Sequence, residues 1–289
     1  MEQIVKSIKE IFNNNDLHVE VVKRLEGGMS NTTYVVKVND DFYTYRIPGK
    51  YAYLYVDRTD EVSGYSTIED INVSTPLVYI NEKTGIKVSK YVEGKILNTI
   101  NPLEHLKEVK NILVKLHSLK GKNDYNPFNR FEKYEEYVKN YEKPDFDLYL
   151  KLKGELIKHK EMLENAKKVF CHNDAMPSNF ILADKLYLVD FEFAGNNDYI
   201  YDIACFGNEN FICGKELMKE YLPNASKEEW QRFYLWKIFQ NLQWYNVALH
   251  KDMLGTSIEL NLDFKAIGIS FLKKALDFYQ ELIRDYNFI

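Results

Sequence analysis

Two apolar tetrads, Phe180-Ile181-Leu182-Ala183 and Leu186-Tyr187-Leu188-Val189, stand on either side of Asp184-Lys185. Four consecutive apolar residues suit a buried strand, and a polar dipeptide between two such runs suits a tight antiparallel turn. A turn centred on that dipeptide pairs Ala183 with Leu186, Leu182 with Tyr187 and, at the open end, Asn179 with Asp190. An amide and a carboxylate then lie side by side where the strands part. Oxygen donors grouped in this way suit Mg2+, which takes one or two protein ligands and completes its shell with phosphate and water.

The loop feeding this hairpin carries His172 and Asp174. The spacing His-x-Asp-x-x-x-x-Asn, then a hairpin and a second Asp, is that of phosphoryl-transfer sites. There the first Asp orients or deprotonates the attacking hydroxyl, and the Asn and second Asp hold metal. An isolated Asp–Asn pair is more often the polar end of a capped hairpin. A run of polar positions in register with one hairpin favours a catalytic centre.

Upstream, Ile4, Ile8, Ile11 and Phe12 share one helical face. The stretch HVEVVKRLEGGMSNTTYVVKVNDDFYTYRIPG then reads as three strands separated by EGGMSN and NDD. A helix follows from Asp57 to about Ile71, and TPLVYINEKTGIKVSKYVEG supplies two more strands around Lys-Thr-Gly. The expected product is a five-stranded antiparallel sheet with a helix. From Gly94 the composition changes, and after an Asn101-Pro102 start signal the pattern is mainly helical. The fold class is therefore α+β, with a small sheet-rich lobe preceding a larger helical one.

Phosphoryl transfer also needs donors over the phosphates and a fixed cation beside them. Gly28, Ser30 and Asn31 lie in a strand-to-strand turn where backbone can approach phosphate closely, although the turn lacks a P-loop ending. Lys37 and Arg46 are the candidate cations. Arg46, on the third strand, is preferred, with Glu61 in the next helix as its ion-pair partner and Asp60 as the neighbouring alternative.

The bulk numbers narrow the class of partner. Forty-three acidic residues against 38 basic ones give a net charge of −5, which argues against nucleic-acid binding. No apolar run reaches membrane-spanning length and no signal-peptide pattern opens the chain, so a cytoplasmic location is expected. Cys171, Cys205 and Cys213 have no zinc-like pairing and read as free thiols.

The motifs resemble those of the choline/ethanolamine kinase family, in the aminoglycoside-phosphotransferase-like branch of the protein-kinase-like fold. HNDAMPSNFIL is similar to that branch's catalytic loop, and YLVDFEFAGNNDYIYDIACF to the narrower family motif. RLEGGMSNTTYVV, YRIPG and KYVEGKIL resemble the glycine turn, the arginine-bearing strand and the inter-lobe link. Length and order are most similar to bacterial LicA-type choline kinases.

The resemblance implies a nucleotide-binding lobe over residues 1–93 and a catalytic and substrate-binding lobe over residues 94–289. It implies ATP and Mg2+ as cofactors, Asp174 as catalytic base, and Asn179 and Asp190 as metal ligands. Arg46 would contact ATP phosphates while pairing with Glu61, and backbone near Tyr91 and Val92 would receive adenine. His172 would support the catalytic loop and Asp202 would brace it.

The implied acceptor is a small amino alcohol, choline first and ethanolamine second, with Glu192 facing its amine. A carboxylate with aromatic faces is a physical fit to an ammonium. Trp244, beside Tyr245, matches one of the family's two pocket tryptophans, while the second position falls on a non-aromatic residue near Asn241 or Val247. Trp236 and Phe233 read as core. The competing readings are a related kinase for an aminoglycoside or sugar hydroxyl, and a non-catalytic nucleotide-binding protein of the same fold.

Overall fold

Isoleucines at 4 and 8 lie one turn apart on helix α1 (Glu2–Ile11) and are both buried. They pack on Val36, Val38, Tyr43, Tyr45 and Val88 from the sheet that follows. That sheet comprises β1 (Val19–Arg24), β2 (Asn31–Val38), β3 (Asp41–Pro48), β4 (Leu77–Ile80) and β5 (Lys87–Lys90), with helix α2 (Arg58–Thr67) between β3 and β4. The strand order is β1-β2-β3-β5-β4, with antiparallel neighbours throughout, as the sequence leads one to expect. Asn39, at φ 53°, supplies the left-handed residue of the two-residue turn joining β2 to β3. The register of β3 on β5 sets Arg46 opposite Lys87.

The computed structural model describes residues 1–25 and 31–287. Its internal contacts divide the chain into two compact units, Met1–Asn123 with Pro177–Gly195, and Asp124–Met176 with Asn196–Ile289. This division does not fall at residue 94. β6 (Lys95–Ile96) and α3 (Leu106–His117) belong to the first unit, where β6 pairs with β8 (Phe180–Leu182) and α3 packs on β9 (Leu186–Leu188).

The second unit holds α4 (Pro127–Tyr137), α5 (Phe146–Lys158), α6 (Lys160–Glu164) and β7 (Lys168–Cys171), then β10 (Gly195–Asp198), which pairs with β7. Helices α7 (Tyr199–Phe206), α8 (Phe211–Tyr221), α9 (Lys227–Met253), α10 (Thr256–Leu260) and α11 (Phe264–Tyr286) complete it. A capping box between Ser226 and Glu229 starts α9. Nearly every side chain of α9 from Arg232 to Lys251 is buried, polar ones included, so it is the central helix of this unit. Phe128, Phe131, Tyr201, Trp236 and Phe239 meet there as an aromatic cluster. Trp236 and Phe233 are core residues, as expected. No helix among the described residues is long and apolar enough to cross a membrane.

Gly85, in the turn before β5, has φ +68°. A Cβ there would lie 2.6 Å from Pro48 Cγ and 2.8 Å from Arg58 Nε. Gly85→Ala combines an unfavourable backbone conformation with a clash, and it should lower stability by about 2 kcal/mol, or Tm by roughly 5 °C. A thermal melt checks this, and an unchanged Tm would mean that the turn repacks freely.

Candidate active site

In the first unit a wholly buried carboxylate organises the charges. Asp57 caps α2 by accepting the Thr59 backbone N–H, which places Arg58, Glu61 and Tyr65 on successive turns of one face. Arg46 donates to both Glu61 oxygens, Nη1 at 2.6 Å and Nη2 at 2.8 Å, while Nη2 also reaches the Gly85 carbonyl at 3.1 Å. Arg58 Nη1 lies 2.7 Å from Glu61 Oε2, and Lys87 Nζ lies 3.6 Å from Oε1. Burial alone would push the Glu61 pKa up. Lys87, the Arg46 hydrogen bonds and Arg58 outweigh it and hold the pKa at about 2. Asp60, the alternative partner, instead accepts a hydrogen bond from Asn123.

The hairpin differs in register from its sequence reading. Phe180 pairs with Leu188, Ile181 with Tyr187 and Leu182 with Leu186, leaving Ala183, Asp184 and Lys185 as a three-residue loop. Asn179 therefore meets Val189, whose N–H donates to the Asn179 carbonyl, and not Asp190. A one-residue slip reverses the faces of a strand. Asp190 lies just past the pairing, and at φ 69° it leaves the alternating pattern. Its carboxylate is 3.1 Å from Arg46 Nη1 and 3.6 Å from Lys87 Nζ.

The sequence expectation for Glu192 is a carboxylate facing a substrate amine. The structure instead commits it to the protein's own cations. It is buried, accepts from the Asn31 amide at 3.0 Å, and lies 3.5 Å from Arg58 Nη1 and 3.8 Å from Arg46 Nη1. Burial first, then Asp190, raise its pKa to about 7 against the opposing pull of Arg46 and Asn31.

In the second unit the loop after β7 is gripped through its backbone. Asp202, on α7, accepts the His172 N–H at 2.8 Å on one oxygen and the Asn173 N–H at 2.6 Å on the other. Asn173 is left-handed at φ 62°, and its side chain accepts from Asn197 and donates to the Cys171 carbonyl. The Cys205 thiol donates weakly to the Asn173 carbonyl at 3.6 Å. His172 is fully buried, and its Nδ1 accepts the Asp174 N–H at 3.2 Å. The residue that carries Asp174 is thus anchored by its neighbours on the chain.

The remaining sequence candidates are distributed as follows. Gly28 and Ser30 lie outside the described residues. Tyr91 and Val92 follow β5 directly, half-buried, and the Tyr91 N–H donates to the Phe42 carbonyl. Lys37 reaches over the Phe42 ring and has no part in the Glu61 cluster. Trp244 is half-buried on α9. Tyr245 is packed away, stacked on Tyr149 with its hydroxyl donated to the Pro144 carbonyl, so its ring is core and not a pocket wall. Asn241 and Val247 are buried too.

Sequence reasoning misses Lys87, Arg58 and Tyr65 in the first unit. The Lys87 ammonium is buried against the Tyr65 hydroxyl at 2.7 Å, and Tyr65 in turn rests on Phe191. The available signal is cross-strand: Lys87 faces Arg46 in the β3–β5 register. In the second unit it misses Asn173 and Cys205. An Asn directly before a candidate base is a signal for left-handed backbone.

The chain matches the choline/ethanolamine kinase family over residues 22–237. It is 26% identical over 246 residues to the protein LicA of Haemophilus influenzae, covering 76% of this chain and 70% of that protein. Among solved structures, the choline kinase LicA from Streptococcus pneumoniae superposes with a TM-score of 0.76 at 22% identity, over 96% of this chain and 97% of that one. LicA in complex with AMP gives a TM-score of 0.78 at 22% identity, over 97% and 98% of the respective chains. At that identity the structural likeness is one of fold.

Glu61→Gln would leave Arg46, Arg58 and Lys87 facing a neutral amide. Stability near neutral pH should fall by about 3 kcal/mol. The folded-state pKa of about 2 lies below the ordinary value of 4.5, so this stabilisation is fully present above about pH 5 and is lost as pH falls towards 2. Urea titrations of both proteins, near neutral pH and near pH 3, should show a gap that narrows in acid. A gap that stays constant would remove Glu61 as the anchor.

Proposed function

The chain belongs to the choline/ethanolamine kinase family and is an ATP-dependent phosphotransferase with an alcohol acceptor, and from that premise we propose how its residues divide the work. Asp174 takes the proton of the acceptor hydroxyl as the γ-phosphoryl group is transferred in line. Arg46, fixed by Glu61, meets the ATP phosphates. Its Nε is buried without a hydrogen-bond partner, a spare donor in a site that binds anions. Backbone near Tyr91 and Val92 receives adenine, and Asn31, with Gly28 and Ser30, is assigned to the phosphates.

The donor set at Asn179 and Asp190, an amide oxygen and a carboxylate about a third exposed, suits Mg2+. These two residues would hold the ion, which would supply positive charge to offset that of the phosphates. Glu192, among the arginines, fits the nucleotide side of the reaction better than the amine. Trp244 is left as the aromatic face offered to the acceptor ammonium, choline or ethanolamine. We assign nucleotide binding to residues 1–93, joined by Glu192, and catalysis and substrate binding to the rest of residues 94–289. We also assign a cytoplasmic place of work, which suits three buried free cysteines.

The observation that supports this reading is Arg46 held by both oxygens of Glu61 while also touching Asp190, a fixed cation beside the proposed metal ligand. The test is ADP release measured in parallel with choline, ethanolamine and an aminoglycoside. Turnover should require one of the amino alcohols, and Asp174→Asn should lower kcat by about 100-fold or more. Full turnover in that variant would end the base assignment, and preference for the aminoglycoside would end the acceptor assignment.

A further inference from the structure

Lys237 is an anomaly in the second unit. It lies at the centre of α9 with 1% of its surface exposed. Its ammonium donates to the Ala204 carbonyl at 3.1 Å and to the Asn208 side-chain oxygen, and it lies 5.4 Å from the centre of the Phe278 ring. Among the described residues no carboxylate pairs with it. Burial pulls its pKa down to about 7, with Cys205 opposing and Lys274 adding to the shift. A buried, unpaired ammonium costs stability, and a methionine would fill the same volume without that cost.

The bonds that Lys237 makes indicate what the cost supports. Ala204 is in the last turn of α7, where its carbonyl accepts from both the Gly207 N–H and Lys237, and the carbonyl end of a helix favours a cation. One turn further along α9, the Gln240 amide donates to the Tyr201 carbonyl at 3.1 Å and to the Cys205 sulfur at 3.2 Å. The same short helix presents Asp202 to the His172 and Asn173 amides and Cys205 to the Asn173 carbonyl. Two donors from α9 therefore hold α7 at Tyr201, Ala204 and Cys205, and Asp202 and Cys205 hold the loop that carries Asp174.

We propose that Lys237, seconded by Gln240, is a positioning residue for the catalytic loop, seating α7 so that Asp202 and Cys205 fix the backbone on which Asp174 stands. The inference rests on the assignment of Asp174 as the base. Lys237 touches no reacting atom, and its effect reaches Asp174 through the axial seating of one helix of two turns. Misplacement of a base by a fraction of an ångström is costly to turnover and nearly neutral to binding.

The test compares Lys237→Met and Lys237→Gln with the parent enzyme. In Lys237→Met the Ala204 carbonyl keeps the Gly207 N–H, and removal of the buried charge offsets the lost bonds to Ala204 and Asn208, so Tm should stay within about 3 °C. Its kcat should fall about tenfold, with both KM values changed less than about twofold. Amide hydrogen exchange in the peptide Cys171–Met176 should quicken while other peptides keep their rates. Lys237→Gln, which still offers N–H donors to Ala204 and Asn208, should recover most of the kcat.

A kcat within about twofold of the parent, or unchanged exchange at His172 and Asn173, overturns the proposal. So does a Lys237→Met protein whose exchange rises everywhere alike, because that marks general loosening. Asp174→Asn measured alongside keeps the two readings apart. Turnover surviving that change removes the base assignment, while loop exchange still reports on Lys237.

Discussion

A glutamate without any solvent contact is the constraint around which the first unit is arranged. Glu61 has 0% exposure, and a carboxylate so placed folds only if cations come with it. Arg46 arrives from β3, Lys87 from the facing position on β5, and Arg58 from the turn before it on α2. Fixing these three cations fixes the relation of the helix to two strands. Asp190 and Glu192 then enter a field already set, so their positions follow from the buried pair and not from their own strand.

The second unit solves a different problem, that of holding a short loop without regular secondary structure. Asn173 takes a left-handed backbone, and each of its polar groups is engaged by Asp202, Cys205, Asn197 or the Cys171 carbonyl. Such strain persists only where the surroundings over-determine it. Those surroundings are supplied mainly by α7, a helix of eight residues that could not hold itself in water. The long α9 beneath it supplies the rigidity.

Much of the fold was legible because it is locally encoded. The alternation along β2 and β3, the Asn-Asp turn between them and the paired isoleucines of α1 each declare themselves within a few residues. The α+β class and the kinase family follow from motifs in order along the chain. The Arg46–Glu61 pair was also readable, since strand and helix adjoin. What escaped depends on separation. Lys87 enters the cluster only through the β3–β5 register, and the burial of Glu192 only through Arg58 and Asn31, distant in sequence. Tyr245 illustrates another limit: an aromatic stripe on a helix does not say which face is core until Tyr149 is found stacked upon it.

The tip of the β8–β9 hairpin gains a meaning from this arrangement. Its three loop residues, Ala183, Asp184 and Lys185, form the closed end of the hairpin, and their number decides which residue stands across from Asn179. With two residues in the turn, Asp190 would be drawn into the ladder opposite the asparagine. With three, Val189 takes that place and Asp190 is released to turn towards Arg46 and Lys87. The loop works as a spacer: its length, more than its chemistry, sets the reach of a carboxylate at the far end of the hairpin.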